Sequence, residues 1–160
     1  MASELRDLLQ MDRFEDIRNS WDLLRFSEEG VWQSFEMLTA FIFEENGFWV
    51  SRGRVIASEG RRRQYDVIAR KGGRTILVEC KRWSGSRRRL SGLRTASREH
   101  KERSEFYRRL TGEHVLPVLV TLIEDGLSAC EGAFVVSILR LNSFIDGIER
   151  GFDSLDVDGA

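Results

Sequence analysis

The stretch Tyr65-Asp66-Val67-Ile68-Ala69-Arg70-Lys71-Gly72-Gly73-Arg74-Thr75-Ile76-Leu77-Val78-Glu79-Cys80-Lys81 decides the fold. Two largely apolar, β-branched runs flank a Gly-Gly pair, the signature of a two-residue hairpin loop whose residues take positive φ. Such a loop sets Lys71 opposite Arg74, and each step away from the turn pairs the next two residues. Asp66 then faces Glu79. On this register Tyr65, Val67 and Ala69 share one face with Cys80, Val78 and Ile76. Asp66 and Ile68 share the other with Glu79 and Leu77, and Lys81 joins that second face.

Two carboxylates opposed across strands repel, so the pair requires a compensating positive charge. A divalent cation supplies it; Lys81 beside Glu79, as a structural ion pair, is the alternative. Lysine is informative there because the chain uses Arg at 22 of its 25 basic positions and Lys only at 71, 81 and 101. An ammonium is a compact charge whose pKa falls near other cations, letting it orient or activate a water, whereas a guanidinium stays protonated.

Outward from the hairpin, Ser27 caps a helix from about Gly30 to Glu45, with Glu28 and Glu29 at its positive end and Asn46-Gly47 stopping it. Within VWQSFEMLTAFIF (31–43) the single charge is Glu36, flanked at helical spacing by Trp32, Ala40 and Phe43. It either serves a site or sits exposed in the helix dipole. Phe48 to Ser58 reads as a strand carrying Arg52 and Arg54, joined to the Tyr65 strand by a basic turn of Arg61, Arg62 and Arg63. After Ser84-Gly85-Ser86 comes an Arg-rich helix with Leu90, Leu93, Ser97, His100, Tyr107 and Leu110 near one face. Val115 to Ile123 reads as a strand buried on both sides, Ala133 to Leu139 resembles it, and Asn142 caps a last short helix. Leu5, Leu8, Leu9, Phe14, Ile17, Trp21 and Leu24 mark one or two amphipathic helices near the N-terminus. The expected organisation is an N-terminal helical segment (1–26), one α/β domain (27–151) and an acidic, disordered tail (152–160).

Charge lies in blocks. From Arg52 to Arg109 there are 19 Arg or Lys against six acids; before that block four stand against eleven, and after it two against nine. A basic centre inside a chain of net charge -1 implies a face for a polyanion, with acidic flanks that discourage binding elsewhere. The phosphate-gripping candidates are Arg52, Arg54, Arg61, Arg62, Arg63, Arg87, Arg88, Arg89, Arg94 and Arg98. The longest apolar stretch, Val115 to Ile123, is interrupted by Pro117 and falls far short of the roughly 20 residues of a membrane span. The opening MASELRDLLQMDR is acidic and amphipathic rather than a leader, so the cytoplasm is the expected compartment. Cys80 and Cys130 fit no zinc spacing and give no disulfide framework.

Glu36, Asp66 and the triplet Glu79-Cys80-Lys81, with strands between and a helix after, resemble the PD-(D/E)xK nuclease superfamily over roughly Val31 to Ile145. Within it the chain looks most like Mrr-type restriction nucleases and archaeal Holliday-junction resolvases, in which a helix acid precedes a Gly-aromatic pair and a basic strand, here Glu36, Gly47-Phe48 and Arg52. The resemblance implies a restriction-endonuclease-like α/β core, a mixed sheet in α-β-β-β-α-β order flanked by helices. It implies a metal-dependent endonuclease hydrolysing DNA phosphodiester bonds. Asp66, Glu79 and the Cys80 carbonyl would hold Mg²⁺, with Mn²⁺ as a substitute and no organic cofactor. Lys81 would position the attacking water and Glu36 would serve a second ion or a water near the leaving group. Tyr65 replaces the proline of the superfamily's name, and Arg103 stands four residues before Tyr107 where the exonuclease branch carries Gln, which argues against a processive exonuclease. Because phosphate contacts carry no sequence information, structure- or modification-directed cleavage is expected. One site cuts one strand, so a homodimer is expected through Leu5, Leu8, Phe14, Ile17 and Trp21, the alternative being that this stripe covers the protein's own sheet. A non-catalytic DNA-binding or protein-interaction module would be expected to lose one of Asp66, Glu79 and Lys81. A ribonuclease would be expected to show an aromatic-interleaved platform, which the sequence lacks.

Overall fold

The computed structural model describes residues 32–81, 89–121 and 129–158. The N-terminal segment 1–26 with its expected dimer contacts lies outside them, as do Arg87 and Arg88. Helix α1 (Trp32–Glu45) stops where Gly47 takes φ +84°, its N–H donating to the Glu44 carbonyl (2.9 Å) and that of Phe48 to the Phe43 carbonyl (3.1 Å). This pair of bonds satisfies the last carbonyls of the helix. Strands β1 (Trp49–Ser58), β2 (Arg61–Lys71) and β3 (Arg74–Lys81) form an antiparallel meander. Helix α2 (Arg89–Thr111) then crosses over, so that β4 (His114–Thr121) lies parallel to β3. Strands β5 (Ala129–Cys130) and β6 (Ala133–Ser137) complete a six-stranded sheet in the order β1-β2-β3-β4-β6-β5, with β6 parallel to β4. A 3₁₀ turn (Ile138–Arg140) leads into α3 (Leu141–Asp158). The expected α-β-β-β-α-β order is the observed one, extended by the β5–β6 edge. The last helix is longer than expected, running past Gly151 to Asp158. Among the described residues no helix is long and apolar enough to cross a membrane.

The sheet separates two apolar layers. Phe35, Leu38 and Phe43 of α1 and Leu141 and Ile145 of α3 pack on Val67, Ala69, Ile76, Val78 and Cys80. On the opposite face α2 places Leu93 and Ala96 against Leu119 and Val135, and Tyr107 against Tyr65, Ile68 and Leu77. Tyr107 is the last buried member of that stripe; Leu110, expected on it, is 41% exposed.

Gly72 (φ +60°) and Gly73 (φ +74°) make the expected two-residue turn, with Lys71 opposite Arg74, Ile68 opposite Leu77 and Val67 opposite Val78. The first hairpin differs from expectation. Its turn is Glu59-Gly60 (φ +54° and +73°), and Arg61, Arg62 and Arg63 belong to β2, with Ser58 opposite Arg61. Two positive φ values match the twist of the flanking strands, but Glu at the first position is a weak sequence signal for such a turn.

The side-chain alternation also departs from expectation. In β1, Val50 and Arg52 pair with Ala69 and Val67 on the α1 face, yet Arg54 pairs with Tyr65, which lies on the α2 face. Ile56 and Arg63, the next pair on that side, also meet α2. Both strands therefore exchange faces between these pairs, at the level of Gly53 and Asp66. Gly53 has φ +59°, a conformation that L side chains adopt at a cost of about 1–2 kcal/mol. A Cβ there would meet no atom within 4 Å, so the cost of a side chain is conformational alone. Gly53→Val should lower stability by about 1–2 kcal/mol in urea denaturation, whereas Gly53→Asn, better tolerated at positive φ, should lose clearly less. Equal losses would show that the backbone conformation at 53 is not what matters.

Candidate active site

The face exchange shapes the point where β2 parts from β3. Pairing with β3 stops at Val67↔Val78, and the Cys80 N–H donates instead to Asp66 Oδ2 at 2.9 Å. Asp66 thus uses its side chain where a strand residue would use its carbonyl. On β3, Glu79 is buried to 7% exposure and held from two sides, by Lys81 Nζ 3.1 Å from Oε1 and by an Arg103 guanidinium nitrogen 3.6 Å from Oε2. Arg103 is anchored by α2, and its backbone carbonyl accepts the Tyr65 hydroxyl at 2.7 Å. Tyr65 itself packs edge-on against Tyr107 with 5.6 Å between ring centroids.

Burial first, then the nearby Glu79 charge and to a smaller extent Glu36, raise the Asp66 carboxyl to about 7 against the opposing Cys80 amide and Lys81. Glu36, on α1, is therefore in electrostatic reach of Asp66. Cys80 turns its thiol away from the acids into the α1 layer, where it lies 3.6 Å from Thr39 Oγ1 and burial drives its pKa well up. Beneath Glu79, His100 is 1% exposed and its Nε2–H donates to the Leu77 carbonyl at 2.8 Å. Burial lowers its pKa to about 4, so the ring is neutral at pH 7.

The structure thus brings Asp66, Glu79 and Lys81 together where β2 and β3 part, with Glu36 of α1 in electrostatic reach. Arg103 is the participant that sequence reading registered only as a missing Gln. Its signal was its place near the buried stripe of Ser97, His100 and Tyr107 on a helix where Arg94, Arg98, Arg108 and Arg109 are exposed. The arginine candidates are dispersed. Arg52 and Arg54 fall on opposite sheet faces, and Arg61 and Arg62 are exposed on β2. Arg63 is held by Glu102 at 2.8 Å and lies 5.7 Å over the Phe106 ring. Arg94 and Arg98 are exposed on α2, Arg98 lying 3.5 Å from Glu131, while Arg89 begins that helix.

The donor set fits a hard cation: two carboxylates and a backbone carbonyl are oxygen ligands, and the raised Asp66 pKa marks a place where negative charge lacks compensation. Among the described residues no three His, Cys, Asp or Glu side chains are gathered as an ion cage.

Residues 28–106 match the Mrr_cat family, described as restriction endonuclease. An uncharacterized protein of Archaeoglobus fulgidus is 34% identical over 117 residues, 73% of this chain and 91% of that protein. The small subunit of a heterodimeric restriction endonuclease superposes with a TM-score of 0.51 at 16% identity, covering 86% of this chain and 87% of that one. A solved protein of unknown function matches with a TM-score of 0.44 at 18% identity, this chain spanning 47% of its length. The helix, meander, crossover helix and parallel fourth strand define a restriction-endonuclease-like fold of the PD-(D/E)xK nuclease class. The chain belongs to the Mrr-type restriction endonuclease family.

Folded, Asp66 keeps its proton up to about pH 7; unfolded, it releases it near pH 4. The folded state binds more protons across that window, so this group's contribution makes metal-free stability fall as pH rises from about 4 to 7. His100 acts oppositely: the unfolded ring takes a proton near pH 6.5 and the folded one only near 4, so stability is lost as pH falls between them. In the parent the two slopes oppose. Asp66→Asn should therefore unfold at a higher temperature than the parent at pH 7.5 in chelator, and should lose that advantage steadily as the pH is lowered to 4.5. Parallel profiles for the two proteins would contradict the burial of an uncompensated carboxylate.

Proposed function

We propose that the protein is a Mg²⁺-dependent endodeoxyribonuclease whose cutting is directed by DNA structure or modification. The observation that carries this reading is the convergence, where β2 and β3 part, of Asp66, which accepts the Cys80 N–H at 2.9 Å, and buried Glu79, which has Lys81 Nζ at 3.1 Å. Asp66, Glu79 and the Cys80 carbonyl would hold the ion, and Glu36 a second ion or a water near the leaving group. When bound, the ion neutralises charge on the phosphoryl oxygens and makes water a better nucleophile. Lys81 holds the attacking water by donating to it, and Arg103 keeps Glu79 in place from the other side. Arg52, Arg54, Arg61, Arg62, Arg94 and Arg98 would contact the DNA, and Arg87, Arg88 and Arg89 extend that set in the sequence. Arg63, committed to Glu102, serves the fold instead. Cutting both strands calls for two centres, and we infer a homodimer; a light-scattering mass of one chain at every concentration, with and without duplex, would contradict it.

In a cleavage assay with Mg²⁺ on duplex, branched and methylated DNA, Asp66→Asn and Glu79→Gln should abolish cutting while duplex binding persists or tightens, since acid–phosphate repulsion is reduced. Lys81→Ala should lose at least about a hundredfold in rate, and Lys81→Arg should not restore it. Parent-like cleavage by both acid variants would remove the centre from catalysis.

A further inference from the structure

The β1–β2 hairpin continues beyond the sheet. Pairing of β2 with β3 ends at Val67↔Val78, whereas β1 and β2 remain paired through five further couples, from Arg54↔Tyr65 to Ser58↔Arg61. At about 3.3 Å per residue this two-stranded ribbon extends roughly 17 Å past Asp66. One face is fastened to α2: Arg63 is bonded to Glu102 at 2.8 Å, Tyr65 to the Arg103 carbonyl at 2.7 Å, and Ile56 packs with the tyrosines. The other face carries Val55 opposite Gln64 and Ala57 opposite Arg62, all four exposed, Val55 to 43%.

We propose that this ribbon is the DNA-reading element of the protein: it enters the major groove of duplex DNA with Arg62 and Gln64 directed at base edges. The inference rests on the nuclease reading for its choice of polyanion. Width selects the groove. Two strands 4.8 Å apart with their side chains fit an opening of about 12 Å and exceed the roughly 6 Å of the minor groove. Chemistry selects the residues. Arginine pairs with the N7 and O6 of guanine, glutamine with the N7 and N6 of adenine, and a small apolar side chain beside each, here Ala57 and Val55, suits the thymine methyl. Charge complementarity favours the same occupant, because Arg62 lies on the face, Arg52 at its root shares that side, Arg61 stands beside the turn, and Glu59 at the tip is the single acid of residues 52–64. The root of the ribbon is the Gly53–Asp66 level, so the ribbon starts at the candidate centre. The α2 contacts order the ribbon before DNA arrives, which lowers the entropic cost of binding. The competing explanation is that these arginines only guard the exposed edge of β1 against pairing with other chains.

Anisotropy titrations of the full chain with a duplex in EDTA decide between them, repeated over a salt series and with 7-deaza-adenine and 7-deaza-guanine replacing the purines. Arg62→Ala should weaken binding about tenfold. Gln64→Ala should weaken it with the salt slope unchanged. The parent should bind the 7-deaza duplex more weakly, and the two variants should lose less on it than the parent does. Arg108→Ala, exposed near the far end of α2, should match the parent. Melting curves check that all variants fold. If Arg62→Ala and Gln64→Ala bind as the parent does, or the 7-deaza duplex is bound equally well, the ribbon does not read bases. Mg²⁺-dependent cleavage by the parent, run in parallel, separates the two claims. Cutting without a ribbon effect sinks this inference alone, a ribbon effect without cutting sinks the nuclease reading alone, and no duplex binding sinks both.

Discussion

At Asp66 both ladders of β2 are interrupted: Gly53 does not pair with it on one side, nor Glu79 on the other, and the strands exchange faces there. Much of the candidate site depends on this interruption. A regular ladder would give the Cys80 N–H to a strand carbonyl, whereas here it goes to the Asp66 carboxylate. It would also set Tyr65 among the α1 side chains, and its hydroxyl could not reach Arg103. The positive φ of Gly53 permits the exchange on the neighbouring strand, so a residue without a side chain on β1 helps aim the acid on β2.

Electrostatics and packing pull against each other at this point. Burial and the neighbouring acids raise the Asp66 pKa, while Lys81 and Arg103 flank Glu79 with positive charge. The metal-free site is thus neutralised piecemeal, by a proton on one carboxyl and two cations on the other. A bound divalent ion would displace the proton and relieve the repulsion that the fold otherwise sustains. Neutral His100 supports β3 from beneath through the Leu77 carbonyl without adding a charge.

Much of this was legible in the sequence because it is governed by local rules. Gly72-Gly73 set the register of β2 and β3, Asn46-Gly47 ended α1, and the apolar run before Ile123 announced the buried parallel strand. What escaped depends on tertiary context. The Glu59-Gly60 turn carries only half of the usual turn chemistry, so Arg61, Arg62 and Arg63 read as loop. The face exchange leaves no trace in alternation, since Tyr65 is as acceptable on one face as on the other; Gly53 inside a strand was its only mark. The partnership of Arg103 with Glu79 joins residues brought close by the crossover helix, which spacing along the chain cannot show.

The most direct test of the central claim is anomalous diffraction from crystals grown with Mn²⁺, collected for the parent and for Asp66→Asn. The expected result is a peak in the parent bounded by Asp66, Glu79 and the Cys80 carbonyl, and no peak there in the variant. Density for the ion elsewhere, or an unchanged peak when Asp66 is neutralised, would contradict a metal centre built on the interrupted strands.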